Sequence, residues 1–254
     1  MSDFTVAVEH SEHVAIVTFS RPPANMFDEA LLAAVADRAE QAQAGGARAI
    51  VLASDGKHFC AGQNLGARGA GSPREVAAAL YEQGTRLFRL DVPVVAAVQG
   101  AAVGGGLGFA CAADFRVASP SSRFEANFAR LGFHHGFALS VTLPRIVGNP
   151  AAERMLLAAA RVGGEEAHRM GLADRLVADG SEREGALELA RELAAGAPLA
   201  VRSMRRTLRA GLAEQAEAAL AHELDEQTEL WKTEDAAAGI RASLTRTAPE
   251  FVGR

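Results

Sequence analysis

Pro93-Val94-Val95-Ala96-Ala97-Val98-Gln99-Gly100-Ala101-Ala102-Val103-Gly104-Gly105-Gly106-Leu107-Gly108-Phe109-Ala110-Cys111-Ala112-Ala113-Asp114 is the stretch on which the fold of this chain turns. Pro93 suits the first residue of a strand, and Val94 to Val98 is the short apolar run of a buried one. Gln99-Gly100 breaks it, and Leu107 to Ala113 reads as a helix of small residues. Gly104, Gly105 and Gly106 therefore stand where a loop enters a helix. The first amides of a helix have no partner inside it and carry the positive end of its dipole. Without side chains, a ligand oxygen can approach that backbone closely. The same triplet also serves as a tight packing turn. The spacing is not that of a dinucleotide-binding loop, and the Gly-Lys-Ser/Thr ending of a phosphate loop is missing.

On the N-terminal side of this stretch, strands alternate with helices. Phe4 to Glu9 and Val14 to Phe19 alternate apolar and polar residues, as in a hairpin. Asp28 caps a helix running to about Gln43 with Leu31, Leu32, Val35 and Ala39 on one face, and Gly45-Gly46 stops it. Ala49 to Ala53 is a buried strand, Ser54 to Arg68 a loop, and Pro73 to Leu90 a helix. Beyond the central stretch comes a strand over Asp114 to Ala118. From Glu165 the chain is helical almost to its end, save a brief strand at Arg175 to Val177. Such alternation implies βαβ units, a mainly parallel sheet and right-handed crossovers. Residues 1–195 form an α/β core and residues 196–254 a helical region. Leu199, Val201, Met204, Leu208 and Leu212 form a packing face there, against the body or a sister subunit.

Composition narrows the function. The chain has 254 residues, 49% of them apolar, enough for a full core, and a net charge of −5. No basic run exceeds Arg205-Arg206, which argues against nucleic acid. No apolar run is long enough for a membrane span. Asp3, Glu9 and Glu12 do not suit a signal peptide, so a cytoplasmic location is expected. Two cysteines, Cys60 and Cys111, suit a reducing compartment. No cluster has metal-ligand spacing, so no metal is expected.

A second loop adds to the glycine triplet. Lys57 to Leu65 follows the Ile50–Ala53 strand. In a parallel sheet, loops leaving the C-terminal ends of neighbouring strands meet in one crevice. If the strands at 50–53 and 94–98 are neighbours, the two loops bring backbone amides to one spot, and two amides on one oxygen make an oxyanion hole.

These motifs resemble those of the crotonase superfamily, the enoyl-CoA hydratase/isomerase family. Phe59-Cys60-Ala61-Gly62-Gln63-Asn64-Leu65 resembles its Ala-Gly-x-Asp-Leu loop, with Asn64 where aspartate is usual. Val98 to Asp114 resembles its second signature. Phe124, Leu131-Gly132, Leu143-Pro144-Arg145, Val147-Gly148, Gly171-Leu172 and the segment from Ala236 to Phe251 continue the match. The resemblance implies a spiral of ββα units with a C-terminal helical region that trimerises, as a homotrimer or dimer of trimers. It also implies an acyl-CoA thioester ligand, with coenzyme A as part of the substrate and no separate cofactor. The oxyanion amides it implies are those of Gln63 and Gly105, and the CoA contacts are Ala24, Asn25, Met26, Ala61 and Leu65.

The resemblance fails at the acid/base residues. The glutamate two residues beyond the triplet is Gly108 here, and the glutamate four residues after Phe124 is Phe128. A carboxylate used by some isomerases, and the dehalogenase nucleophile, fall at Gly136. His135, or else His134, is the expected proton carrier, because histidine titrates near neutrality; both also suit a helix end or an interface. Tyr81 falls at a pocket position, to donate to the thioester or to pack. The expected activity is enoyl-CoA hydratase/isomerase-like, through a thioester enolate. Acyl-CoA decarboxylation and non-catalytic acyl-CoA binding are the alternatives.

Overall fold

A computed structural model describes residues 3–64 and 72–254. β1 (Thr5–Ser11) and β2 (Val14–Ser20) pair antiparallel through a tight turn in which Glu12 has a φ of 55°. α1 (Glu29–Ala44) begins where the Asp28 side chain accepts from the Leu31 amide, and Gly45 closes it. β3 (Ala49–Ser54) follows. α2 (Pro73–Phe88) opens with a reciprocal cap between Ser72 and Glu75. Then come β4 (Val94–Val98), β5 (Ala101–Val103), α3 (Gly105–Ala112), β6 (Phe115–Ala118) and β7 (Arg123–Glu125). α4 (Phe128–Leu131), α5 (Leu139–Val147), α6 (Asn149–Leu157), β8 (Arg161–Gly163), α7 (Gly164–Arg169) and β9 (Arg175–Leu176) lead into the last four helices. These are α8 (Glu182–Ala194), α9 (Pro198–Leu208), α10 (Leu212–Leu230) and α11 (Glu234–Thr245).

The main sheet has the order β1-β2-β3-β4-β6-β9 and is parallel from β2 onward. Strand residues alternate between its faces. Val14, Ile16, Val51, Val95 and Val117 pack with Ala186 and Ala190 of α8, while Val17, Phe19, Ile50, Leu52 and Ala96 join the larger core on the other side. β3 and β4 are buried on both faces, which is why they read as continuous apolar runs; β2 is buried on both faces as well and does not alternate as expected, whereas β1, at the sheet edge, does.

β3 and β4 are neighbours, Ile50 opposite Val94, so the two loops do leave adjacent strand ends. A small second sheet, β5-β7-β8, escaped the sequence, because three-residue strands carry no periodicity. α3 starts at Gly105, two residues before Leu107. Gly104, at a φ of 56°, forms its N-cap without a side-chain bond, so no capping residue marks the start.

The helical region is not covered by the body as evenly as its apolar face suggests. Leu212, Ala216, Leu220 and Leu224 of α10 join the larger core. On α9, Leu199, Met204 and Leu208 are 79%, 58% and 72% exposed in the single chain. α9 is fixed by charge instead: Arg205 and Arg209 both donate to the nearly buried Asp114 carboxylate, at 3.0 and 2.8 Å, and Arg205 also donates to the Leu90 carbonyl.

Candidate active site

The loop after β3 is threaded between two backbone segments. On one side the Ala61 amide donates to Ala24 O, Phe27 to Gly62 O and Asn64 to Phe27 O. On the other, Cys60 donates to Ala101 O and Val103 to Cys60 O. The Asn64 amide points toward Phe27, so the preceding amide, Gln63, points to the opposite side, where β5 runs into α3. Gly62 has a φ of 102°, and a Cβ added there would lie 3.8 Å from the Gly105 nitrogen and 3.0 Å from Val103 O. Only glycine combines that φ with such close contact. Gly106 is tighter still, since its Cβ would meet Cys60 O at 2.1 Å. The two loops thus touch through their backbones. Among the described residues, neither the Gln63 nor the Gly105 amide has a hydrogen-bond acceptor.

Both residues line a cavity of about 490 Å³, together with Met26, Ala61, Tyr81, Phe128, Gly136 and Gln227. A larger cleft of about 750 Å³, beside Lys57, Gln99 and Arg123, contains neither amide and is not the candidate. Phe27, Phe133, Phe137 and Trp231 stand in the wall alongside Phe128, with the polar Asn64, Asn127 and Ser243. Tyr81 is the sole ionisable side chain among the described lining residues. Burial, with the Glu223 charge second, pushes its phenol above its ordinary range, so it is protonated at neutral pH.

The vacant carboxylate positions are not vacant space. A Cβ on Gly108 would come 2.4 Å from Phe137 Cβ, so the Phe137 side chain occupies that place. Gly108, expected in the pocket, lies behind this ring and does not line the cavity. A Cβ on Gly136 would meet the Tyr81 hydroxyl at 2.1 Å and Gln227 Nε2 at 2.7 Å. Tyr81 donates to Gln227 Oε1 at 2.9 Å, so a phenol–amide pair from α2 and α10 fills the site of the missing carboxylate.

The histidines face elsewhere. Neither His134 nor His135 lines the cavity. Their rings stack at 4.0 Å, and His135 Nε2 lies 3.7 Å from Glu223 Oε1 without a hydrogen bond. Burial, helped by His134 and His222, lowers the His135 pKa to about 4, leaving it neutral at pH 7. Burial raises the Glu223 pKa, opposed by its bonds to the Ser140 hydroxyl and to the Ser140 and Ala138 amides. Burial thus disfavours charge on both, and a neutral imidazole lies beside a carboxyl group held by the Ala138 and Ser140 amides and the Ser140 hydroxyl. Glu223 holds the turn at Phe137 and Ala138, both at positive φ, which places the Phe137 ring.

Of the expected CoA contacts, Met26 and Ala61 line the cavity. Ala24 does not; its carbonyl binds the Ala61 amide. Asn25 is buried, and its side chain is spent on the Arg21 amide and the Asp55 and His58 carbonyls, tying the two loops together instead of facing a ligand. Leu65 lies outside the described residues. The residue that sequence reasoning missed is Gln227. Its only signal is a polar residue one turn after Glu223 on the buried stripe of α10.

Residues 9–254 match the enoyl-CoA hydratase/isomerase family. The chain belongs to that family. A probable enoyl-CoA hydratase of Rhodobacter capsulatus is 37% identical over the whole of both chains. A 4-chlorobenzoyl coenzyme A dehalogenase of Arthrobacter is 32% identical over 88% of this chain and 84% of its own. The crystal structure of an enoyl-CoA hydratase/isomerase from Pseudoalteromonas atlantica superposes with a TM-score of 0.86 at 28% identity, covering 97% of this chain and 99% of that one. The protein is therefore a hydratase/isomerase-like enzyme of the crotonase fold, as the motifs implied. No helix among the described residues is long and apolar enough to cross a membrane, and no group of three or more His, Cys, Asp or Glu among them is placed to hold a metal.

Proposed function

We propose that the enzyme binds an acyl-CoA thioester with its carbonyl oxygen on the Gln63 and Gly105 amides and stabilises the enolate formed there. The observation that carries this is the close approach of the Gly62 and Gly105 backbones at the cavity wall, with neither the Gln63 nor the Gly105 amide having an acceptor among the described residues. Such a pair acts on charge as it develops on the oxygen. CoA would run past Met26 and Ala61.

Water addition through two carboxylates has no counterpart here, since Gly108 and Phe128 stand in their places and residues 65–71 contain no carboxylate or histidine. Among the described lining residues there is no side-chain base either, because Tyr81 keeps its proton at neutral pH. Double-bond isomerisation needs a group to take up a proton. Loss of CO2 from a malonyl-type thioester needs only the two amides and a proton from solvent, and an uncharged cavity disfavours the substrate carboxylate that departs. Decarboxylation is therefore the alternative that this cavity favours.

Mass spectrometry of products from crotonyl-, 3-enoyl- and malonyl-type CoAs separates the three reactions. Tight binding with no product from any would mark a member that has lost its chemistry. The amide role has its own test. Gly105→Pro removes the N–H at a helix position where proline is tolerated, and Phe27→Leu makes room, because a Cβ at 105 would lie 2.6 Å from Phe27 Cζ. The double variant is expected to lose roughly 10²–10³ in kcat against Phe27→Leu alone. Equal turnover in the two would remove the oxyanion assignment.

A further inference from the structure

The larger cleft, of about 750 Å³, shares no lining residue with the acyl cavity. It opens beyond the carboxyl ends of β3 and β4, where open parallel sheets hold ligands, and the first residues of α8 close one side. Three cations, Lys57, Arg123 and Arg183, and two acids, Asp55 and Glu182, line it. One ion pair forms among these five, Arg183 to Asp55 at 2.8 Å. Arg123 is left over from another group. Its Nε lies 3.7 Å from Glu125 Oε2 without a hydrogen bond, because that carboxylate accepts from Arg130 and Arg161, at 3.0 and 3.1 Å. Lys57 is exposed and has no acidic partner among the described residues. His58, also in the cleft, registers both cations. Its Nδ1 is buried without a partner, and burial, with the Lys57 and Arg123 charges behind it, holds its pKa below the ordinary value.

Glu182 is the opposite case. It is 4% exposed, opens α8, and makes no side-chain hydrogen bond or ion pair among the described residues. What remains open on it faces the cleft. A nearly buried carboxylate can only accept, so it calls for donors. The cleft thus offers two cations to an anion and an acceptor to hydroxyls. We propose that it is a second binding site, separate from the acyl cavity, for a sugar phosphate, whose phosphate lies between Lys57 and Arg123 and whose hydroxyls donate to Glu182. A phosphate monoester carries about −1.5 to −2 charges at neutral pH, which matches the two cations. Arginine binds it as a fork and lysine as a point charge. The volume lies within the range of small-molecule sites, about 300–1,000 Å³.

Calorimetric titration of the full-length protein with ribose 5-phosphate, inorganic phosphate and ribose tests this. Ribose 5-phosphate is expected to bind more tightly than either of the others. Lys57→Ala, a change at the surface, and Arg123→Gln are each expected to weaken it roughly tenfold or more, the effect of one charge-assisted hydrogen bond. Glu182→Gln is expected to act in two directions: it tightens inorganic phosphate by removing a like charge, and it narrows the lead of ribose 5-phosphate. No saturable binding of ribose 5-phosphate at millimolar concentration overturns the proposal. So does binding that neither Lys57→Ala nor Arg123→Gln weakens. Should the variants at 123 or 182 fail to fold, Lys57→Ala still decides. Coenzyme A also carries a phosphorylated ribose, and a titration in its presence separates the two sources. Saturating coenzyme A is expected to leave the affinity for ribose 5-phosphate unchanged. Competition between them would give the cleft to the thioester substrate and overturn the proposal. The acyl-CoA reading is tested apart from this, by its products.

Discussion

At single residues, the two glycines that replace family side chains are not interchangeable with the residues they replace. Gly108 has the Phe137 Cβ where its own would be, so even Gly108→Ala must displace a ring that Glu223 holds in place. Overpacking of this kind costs about 1–3 kcal/mol, and a denaturant midpoint that does not fall would contradict it. Gly108→Glu is accordingly expected not to restore hydration by itself, which a crotonyl-CoA assay checks. The approach of the two loops was legible in the sequence, because Gly62 and Gly104–Gly106 mark it without reference to side chains elsewhere. The side-chain part was not. Nothing next to Tyr81 announces Gln227, which lies 146 residues away, and nothing next to His135 shows that it faces Glu223 and not the cavity.

The turn between α4 and α5 carries a pH dependence. His135 is depressed to about 4 in the folded chain against an ordinary 6.5. The unfolded chain therefore takes up the proton first as pH falls, so stability is complete above about 6.5 and declines from there toward 4, by at most about 1.4 kcal/mol per pH unit. Glu223, raised by burial, acts in the opposite sense, its contribution being present at acidic pH and lost as pH rises through its folded pKa. Urea midpoints at pH 7.5 and 5.5 are expected to separate in the wild type and to draw together in His135→Gln. An equal separation in both would assign the effect to other groups. Long elements such as α1 and α2, with their caps at Asp28 and Ser72, follow from local sequence. β5, β7 and β8 do not, because they exist only through pairing with one another.

For the whole molecule, the face of α9 is the unfinished part. Leu199, Met204 and Leu208 are exposed together on a helix held to the body by Arg205 and Arg209. We expect this face to be buried between subunits in a trimer or a pair of trimers. Burying a leucine is worth about 1.5–3 kcal/mol, so Leu208→Glu is expected to shift sedimentation toward the single chain, and unchanged sedimentation would exclude α9 from the contact. The sequence alone determined the family, the alternation of strands and helices, and the meeting of the two loops, because glycine spacing and apolar runs are local and survive without neighbours. Only the tertiary structure decided what fills the places of the missing carboxylates. Phe137, Tyr81 and Gln227 come from a turn and two helices far apart in the chain, and which of them reaches the cavity depends on packing, which no local pattern encodes.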